Sequence, residues 1–361
     1  MSRIYFLDAN VIYSLFGRDK LGFTSKPVDE EALKHFLEGK ELGLPASVFI
    51  EIITHFRNDA DKLYDLIQFV SRCGMSIYNN IPDYCYEPSQ LCILNNMSKV
   101  ELQSYAMTLL KKKIEIEAKF VLLFHEITRD LYAEYRLRIS KLSEEHKCNV
   151  LTYIARKGDK DCAEQLEAEL SSQLTQGYEM HNEQRILKNF YIEKLNESCI
   201  FIDLIISSVE AYNNSETDFI KVIQNTYQKS VDEGLDGSNG TMKHLEEVFA
   251  EDKEFLADAK TKIADMFGRR SYSKKQTKYL SEIMFTAWYD RSQKLKKNDI
   301  FDMFAVGCLD SKPRSQALCV LEDNSPYLIS FDRTMKSFIQ TVNQNNYLMI
   351  DSINNEEING V

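Results

Sequence analysis

The sequence predicts an α/β protein in which one small domain with a parallel sheet is interrupted by a large all-helical insertion. Residues 89–312 of the 361-residue chain contain no proline, which favours long helices in that stretch. Short apolar runs ending in an acidic residue flank it, as at Ile4–Leu7 before Asp8, and alternate with helical segments. This alternation is typical of a parallel sheet.

The two flanks of the chain together supply the strands of this sheet. "RIYFLDAN" and "GMSIYN" are strand candidates in the first flank, and "YLISFDR" and "YLMIDS" in the second. The segments "DEEALKHFLEG" and "FIEIITHF" between strand candidates have helical character. Neither flank has enough strands for a sheet of its own. We therefore assign residues 1–80 and 291–361 to one domain.

Residues 81–290 form the predicted helical insertion. Leu109, Ile116, Phe120 and Leu123 recur at helical spacing, with polar residues between them. The glycine-rich segment "DEGLDGSNGT" interrupts the pattern once and predicts a loop.

Composition narrows the class of protein. Hydrophobic residues at 44% and charged residues at 27% are ordinary for globular chains and exclude wholesale disorder. No apolar run is long enough for a membrane span, and the eight cysteines contain no CxxC pair, so we expect a cytoplasmic protein. A net charge of −11 repels polyanions, so nucleic-acid binding requires a local basic patch or a metal ion.

Four acidic residues interrupt or directly follow apolar stretches: Asp8, Glu51, Asp302 and Asp332. An ionised carboxylate in such a place is costly unless it is compensated, and Mg²⁺ or Mn²⁺ compensates several carboxylates at once. The competing interpretation is structural, because Asp203 shows the same pattern inside the helical insertion, where no chemistry is expected. Asp299 lies one helical turn before Asp302 on the same predicted face, or else caps the helix with Asn298.

Four segments, in order, resemble the motifs of PIN-domain nucleases: "FLDANVIYSLF", "LPASVFIEIITHF", "NDIFDMFAV" and "LISFDRTM". The resemblance covers some 150 residues, in the two flanks only. It implies a PIN-like α/β/α sandwich with a central parallel sheet, one or two Mg²⁺ or Mn²⁺ ions, and RNA hydrolysis. It also implies a ligand set of Asp8, Glu51, Asp302 and Asp332, with Asp299 as a second acid of the third motif and Asn10 and Ser330 as hydrogen-bonding supports. The long helical insertion before the third motif departs from the family pattern.

Basic residues before the third motif form a candidate RNA-binding segment. The selected positions are Arg269, Arg270, Lys274, Lys275 and Lys297, with tyrosines interleaved in the first part of the segment. A solvated helix face explains the same pattern equally well.

The sequence therefore predicts a metal-dependent endoribonuclease acting on an RNA substrate, with the oligomeric state open. Analogy suggests a regulated toxin or defence enzyme whose insertion binds a protein regulator. The alternative is a non-catalytic PIN-fold scaffold whose helical block binds a protein partner. The sequence disfavours a HEPN-type ribonuclease, because no Arg is followed four to six residues later by His.

Overall fold

A computed structural model of the chain describes residues 4–17, 30–81, 90–157, 160–213, 221, 224–225, 228, 253–268, 277–279, 281–282, 299–309, 326–330, 332, 335 and 347–349. The chain divides into two compact units. The α/β unit comprises Met1–Lys113, Phe267–Met284 and Asn298–Val361. The helical unit comprises Ile114–Met266 and Phe285–Lys297.

A parallel sheet forms the centre of the α/β unit. Its strands are β1 (Ile4–Leu7), β2 (Glu41–Pro45), β3 (Ser76–Tyr78), β4 (Tyr327–Ser330) and β5 (Tyr347–Met349). The spatial order is β3-β2-β1-β4-β5, and every neighbouring pair is parallel. The prediction of an α/β unit whose sheet takes strands from both flanks is therefore confirmed.

The helices connect the strands and form the second unit. In chain order the described helices are α1 (Ala9–Phe16), α2 (Glu30–Leu37), α3 (Ala46–His55), α4 (Ala60–Arg72), α5 (Gln90–Asn95), α6 (Lys99–Ile139), α7 (Glu144–Lys157), α8 (Lys160–Glu179), α9 (Glu183–Asn213), α10 (Lys253–Gly268) and α11 (Asp299–Gly307). None of these helices combines the length and apolar character needed to cross a bilayer.

The core of the α/β unit lies on the sheet, under α1 and α3. Phe49 and Ile50 of α3 have no solvent exposure, and Phe6 of β1 is almost as deeply buried. Gly43 of β2 is required by this packing, because a Cβ there would lie 2.7 Å from the Phe6 ring. A glycine thus lets the central strand place an aromatic side chain against its neighbour.

The α/β unit extends further along the chain than the sequence analysis assigned. Gln68 of α4 donates a hydrogen bond to the Asn95 carbonyl at 2.9 Å, and Lys99 pairs with Asp61. Gln103 of α6 donates to the Arg57 carbonyl at 3.4 Å. These contacts join residues 90–113 to the sheet unit, whereas the sequence boundary stood at residue 81.

Partly buried polar pairs connect the long helices of the helical unit. Tyr132 and Arg136 of α6 both donate to the carboxylate of Asp203 on α9, each at 2.6 Å. Thr128 and Tyr191 form a hydroxyl pair at 2.9 Å. Asp203, the embedded acid that the sequence pattern did not separate from the candidate site, is therefore a structural partner of two α6 side chains.

His125 forms another polar contact between α6 and α9. Its Nε2 lies 3.0 Å from the Lys194 carbonyl oxygen and 3.0 Å from Ser198 Oγ. Burial lowers the pKa of His125, because the imidazolium would lose its hydration, although the hydrogen bond to the Lys194 carbonyl partly opposes the shift.

We predict that the helical unit loses stability on acidification through His125. A lowered folded-state pKa means that the unfolded chain binds the proton more readily, so this stabilisation is complete above the ordinary histidine pKa and declines as the pH falls below it. His125→Gln keeps a nitrogen near Nε2 but cannot titrate. Its melting temperature should therefore fall less between pH 7.5 and pH 5 than that of the wild type, as followed by circular dichroism. His146→Gln is the control, and an identical pH dependence in wild type and His125→Gln would contradict the assignment.

Candidate active site

Asp8 lies where the central strand ends and α1 begins. Its backbone nitrogen donates to the Ile329 carbonyl at 3.1 Å, which continues the pairing of β1 with β4. Its side chain caps α1, since Oδ1 accepts a hydrogen bond from the backbone nitrogen of Ala9 at 2.7 Å. The residue is only 5% exposed. Asp8 is thus a buried carboxylate at the carboxyl edge of the sheet, as the strand pattern predicted.

Ser330 joins Asp8 to Asp332. The Ser330 hydroxyl, fully buried at the end of β4, donates to Asp8 Oδ2 at 2.7 Å. Ser330 Oγ also accepts a hydrogen bond from the backbone nitrogen of Asp332 at 2.9 Å. Asp332 Oδ1 in turn accepts from the backbone nitrogen of Met335 at 3.0 Å. One hydroxyl therefore connects the carboxylate after β1 to the loop that bears the carboxylate after β4.

The electrostatic environment of Asp8 disfavours its ionised form. Burial is the largest cause and raises the pKa of Asp8, while the hydrogen bonds from Ser330 and Ala9 oppose the increase. The charge of Asp332 raises the pKa further, and a hydrogen bond from Asn10 lowers it slightly. Asn10 itself is exposed on α1, so its predicted supporting role rests on this one interaction. A cation at this edge of the sheet would favour the ionised form of Asp8.

Tyr13, which was not selected from the sequence, is under the electrostatic influence of both Glu51 and Asp8. Glu51 lies half-buried on α3, and Tyr13 is buried on α1. The Tyr13 ring packs edge-on against Phe56 at the end of α3, with 5.8 Å between ring centroids. Burial raises the pKa of Tyr13, and the charges of Glu51 and Asp8 raise it further. The charges of both carboxylates therefore act on the Tyr13 phenol. This effect depends on how the helices pack, so no local pattern in the sequence indicates it.

The third motif lies on α11, where Asp302 is half-buried. Asp299 is the first residue of this helix, and its side chain is outside the described part of the structure. Helix α11 packs against α3, the helix that carries Glu51. Asn80, just after β3, donates a hydrogen bond to the Phe304 carbonyl of α11 at 2.6 Å. The third motif is thereby attached to the same sheet unit as the other three.

A basic residue of α6 lies close to this motif. Lys113 is 8% exposed, and its Nζ lies 5.3 Å from the centroid of Phe301, the residue before Asp302. A lysine this deeply buried is uncommon, and the ring face provides it with a favourable contact. The basic residues that the sequence predicts for RNA binding are different ones. Those positions, namely Arg269, Arg270, Lys274, Lys275 and Lys297, lie outside the described residues, and their RNA-binding role stays a prediction.

The donor atoms of this site suit Mg²⁺ or Mn²⁺ in kind, because these ions prefer oxygen ligands. Their arrangement is less complete. Among the described side chains, no three His, Cys, Asp or Glu residues lie together in a group that could hold a metal ion. The described side chains include those of Asp8, Glu51, Asp302 and Asp332 but not that of Asp299. The chemistry of the donor set thus fits the predicted ions, while a closed coordination shell is absent among these described residues.

Comparison with protein-family models, curated proteins and solved structures finds no match for this chain. The site is therefore interpreted from its own residues and geometry.

We predict that Asp8→Asn separates stability from function. Asparagine keeps an oxygen for the Ala9 nitrogen and presents an amide to Ser330, but it removes a buried charge that Asp332 repels. The melting temperature should be unchanged or higher in metal-free buffer, whereas the RNA cleavage that the motif resemblance implies should fall at least about 100-fold. Calorimetry and a cleavage assay on the same preparation check this. Parallel losses of stability and cleavage would identify Asp8 as a structural residue.

Ser330→Ala should have the opposite effect on stability. Removal of the hydroxyl leaves Asp8 Oδ2 without the Ser330 donor in a buried region, and takes away the Ser330 acceptor of the Asp332 nitrogen in a partly buried one. We expect a loss of about 1–3 kcal/mol in the free energy of unfolding, measured by urea denaturation. Ser330→Ala in an Asp8→Asn background should cost less, because the buried charge is already absent. Equal costs in the two backgrounds would show that the Asp8–Ser330 bond contributes little.

Proposed function

We propose that this chain is a metal-dependent endoribonuclease with a PIN-like fold. The observation that carries the proposal is the hydrogen-bonded unit of Asp8, Ser330 and Asp332 at the carboxyl edge of a parallel sheet. Ligand sites in open α/β sheets lie at this edge, outside the ends of neighbouring strands. The location agrees with the implication drawn from the four motif resemblances.

Electrostatics provide the second argument for a cation. Asp8 is buried, its pKa is raised, and the charged neighbour that acts on it is another carboxylate. Among the described residues, no ion pair with a basic side chain involves Asp8. Asp203 of the helical unit, in contrast, pairs with Arg136. A cationic ligand would supply at Asp8 the compensation that Arg136 supplies at Asp203.

In this proposal Asp8, Glu51, Asp302 and Asp332 hold one or two Mg²⁺ or Mn²⁺ ions, with Asp299 as a further acid. A bound ion would supply an activated water and a counter-charge for phosphate. Ser330 orients the Asp8 carboxylate through its hydroxyl, and the Ala9 nitrogen fixes the other oxygen. Tyr13 is buried on α1, and its ring packs against Phe56 at the end of α3, the helix that carries Glu51.

The alternative is a PIN-like scaffold without catalysis, whose helical unit binds a protein partner. Two observations favour it: the described acids do not form a group of three, and both Asp8 and Asp332 accept backbone hydrogen bonds of a capping type. The two functions differ in whether divalent ions bind and whether RNA is cut.

We predict that Mn²⁺ or Mg²⁺ raises the melting temperature and activates RNA cleavage. Binding to the folded chain alone stabilises it by about 2.7 kcal/mol at a metal concentration 100 times Kd. Scanning calorimetry with Mn²⁺, Mg²⁺ and EDTA measures the shift, and a labelled single-stranded RNA reports cleavage. Asp332→Asn should lose both effects, whereas Asp203→Asn, an acid of the helical unit, should keep the metal response. Metal-independent melting together with uncut RNA would favour the scaffold.

The basic segment is tested separately. Neutralising Arg269, Arg270, Lys274 and Lys275 together should weaken RNA binding and reduce its salt dependence by about one counterion for each lost phosphate contact. Cleavage at saturating RNA should change little. Binding measured by fluorescence anisotropy at several salt concentrations decides this, and an unchanged affinity and salt slope would remove the segment from the RNA interface.

A further inference from the structure

Asn80 uses its whole side-chain amide to connect two helices of the α/β unit. Its Oδ1 accepts a hydrogen bond from the backbone nitrogen of Ser47 at 3.0 Å, and its Nδ2 donates to Ser47 Oγ at 2.9 Å. The same Nδ2 donates to the Phe304 carbonyl oxygen at 2.6 Å. Ser47 is in the first turn of α3 and Phe304 is in the last turn of α11.

Both helix ends need the groups that Asn80 provides. Helix α3 follows Pro45, whose side chain cannot cap it, so the Ser47 nitrogen has no partner from the usual capping position. At the end of α11, the Ala305 and Val306 carbonyls accept bonds from Cys308 and Leu309. Asn80 serves the preceding carbonyl, that of Phe304. One amide thus satisfies a donor at the start of one helix and an acceptor at the end of another.

These two helices carry two of the candidate acids. Glu51 lies four residues after Ser47, about one turn along α3. Asp302 lies two residues before Phe304 on α11. Capping α3 would require only Oδ1 of Asn80. The hydrogen bond from Nδ2 to the Phe304 carbonyl is an additional contact, and it joins α11 to the start of α3. It limits how far α11 can slide or rotate relative to the start of α3.

We propose that Asn80 is a positioning residue that sets the spacing between Glu51 and Asp302, and so determines the affinity of the acidic site for its divalent ion. This inference rests on the proposed function. Asn80 reaches both helices through hydrogen bonds at their ends, and it acts through Glu51 and Asp302. Its removal therefore alters the distance between two ligands while leaving each carboxylate in the chain.

The test compares Mn²⁺ affinity with stability in matched variants of the full chain. Asn80→Ala removes all three bonds. Asn80→Asp keeps an oxygen for the Ser47 nitrogen, so α3 remains capped, but it places a second oxygen against the Phe304 carbonyl. Gln68→Ala is the control, since it removes one hydrogen bond between α4 and α5 in the same unit without contact to α3 or α11. Free Mn²⁺ is measured by its electron paramagnetic resonance signal, at a temperature where every variant is folded.

We expect Asn80→Ala and Asn80→Asp to weaken Mn²⁺ binding about tenfold or more, with Gln68→Ala close to wild type. The Mn²⁺ concentration for half-maximal RNA cleavage should rise by the same factor. If both Asn80 variants bind Mn²⁺ as the wild type does, or lose affinity only as far as Gln68→Ala does, Asn80 is structural and the inference is wrong. Failure of the wild type itself to bind Mn²⁺ would overturn the proposed function, and the positioning role with it.

Discussion

The pairing of β1 with β4 is the constraint on which the candidate site depends. It brings Asp8 and Ser330 within hydrogen-bond distance although 322 positions separate them in sequence. Because parallel strands end at the same edge, this pairing places the residues after both strands side by side. Asp8 then becomes a buried acid with a second acid nearby. The charge of this acid also acts on Tyr13 of α1, as does the charge of Glu51 on α3.

Asp8 and Asp203 show how partners decide the meaning of one sequence pattern. Each follows or interrupts an apolar run, and each accepts hydrogen bonds from side chains distant in sequence. Asp203 accepts hydrogen bonds from the Arg136 guanidinium and the Tyr132 hydroxyl, so its charge is compensated within the helical unit. Asp8 receives a hydroxyl and faces a like charge. The first arrangement holds two helices together, whereas the second is suited to a ligand that carries positive charge.

The sequence was sufficient for the parts of the structure that depend on local pattern. Apolar runs and their acidic ends predicted β1, β4 and the position of Asp8 and Asp332, and helical spacing predicted the inserted block. Tyr13, Asn80 and Lys113 were not found, since each acts through a neighbour that only tertiary packing supplies. The difference in the domain boundary has the same cause: residues 90–113 are helical in pattern, and tertiary contacts such as those with Gln68 and Arg57 join them to the sheet unit. The ligand set implied by resemblance stays a prediction.

The position of β4 in the chain also has a consequence for biosynthesis. During synthesis, β1, β2 and β3 leave the ribosome long before β4 does, so one edge of the central strand has no partner while the intervening helices are made. An unpaired edge in this period is exposed to wrong pairing, and contacts of such high sequence separation form slowly. The Asp8–Ser330 bond cannot form until β4 has emerged. A nascent chain therefore carries Asp8 without its hydroxyl donor and without the neighbouring Asp332 until residues 327–332 have been made.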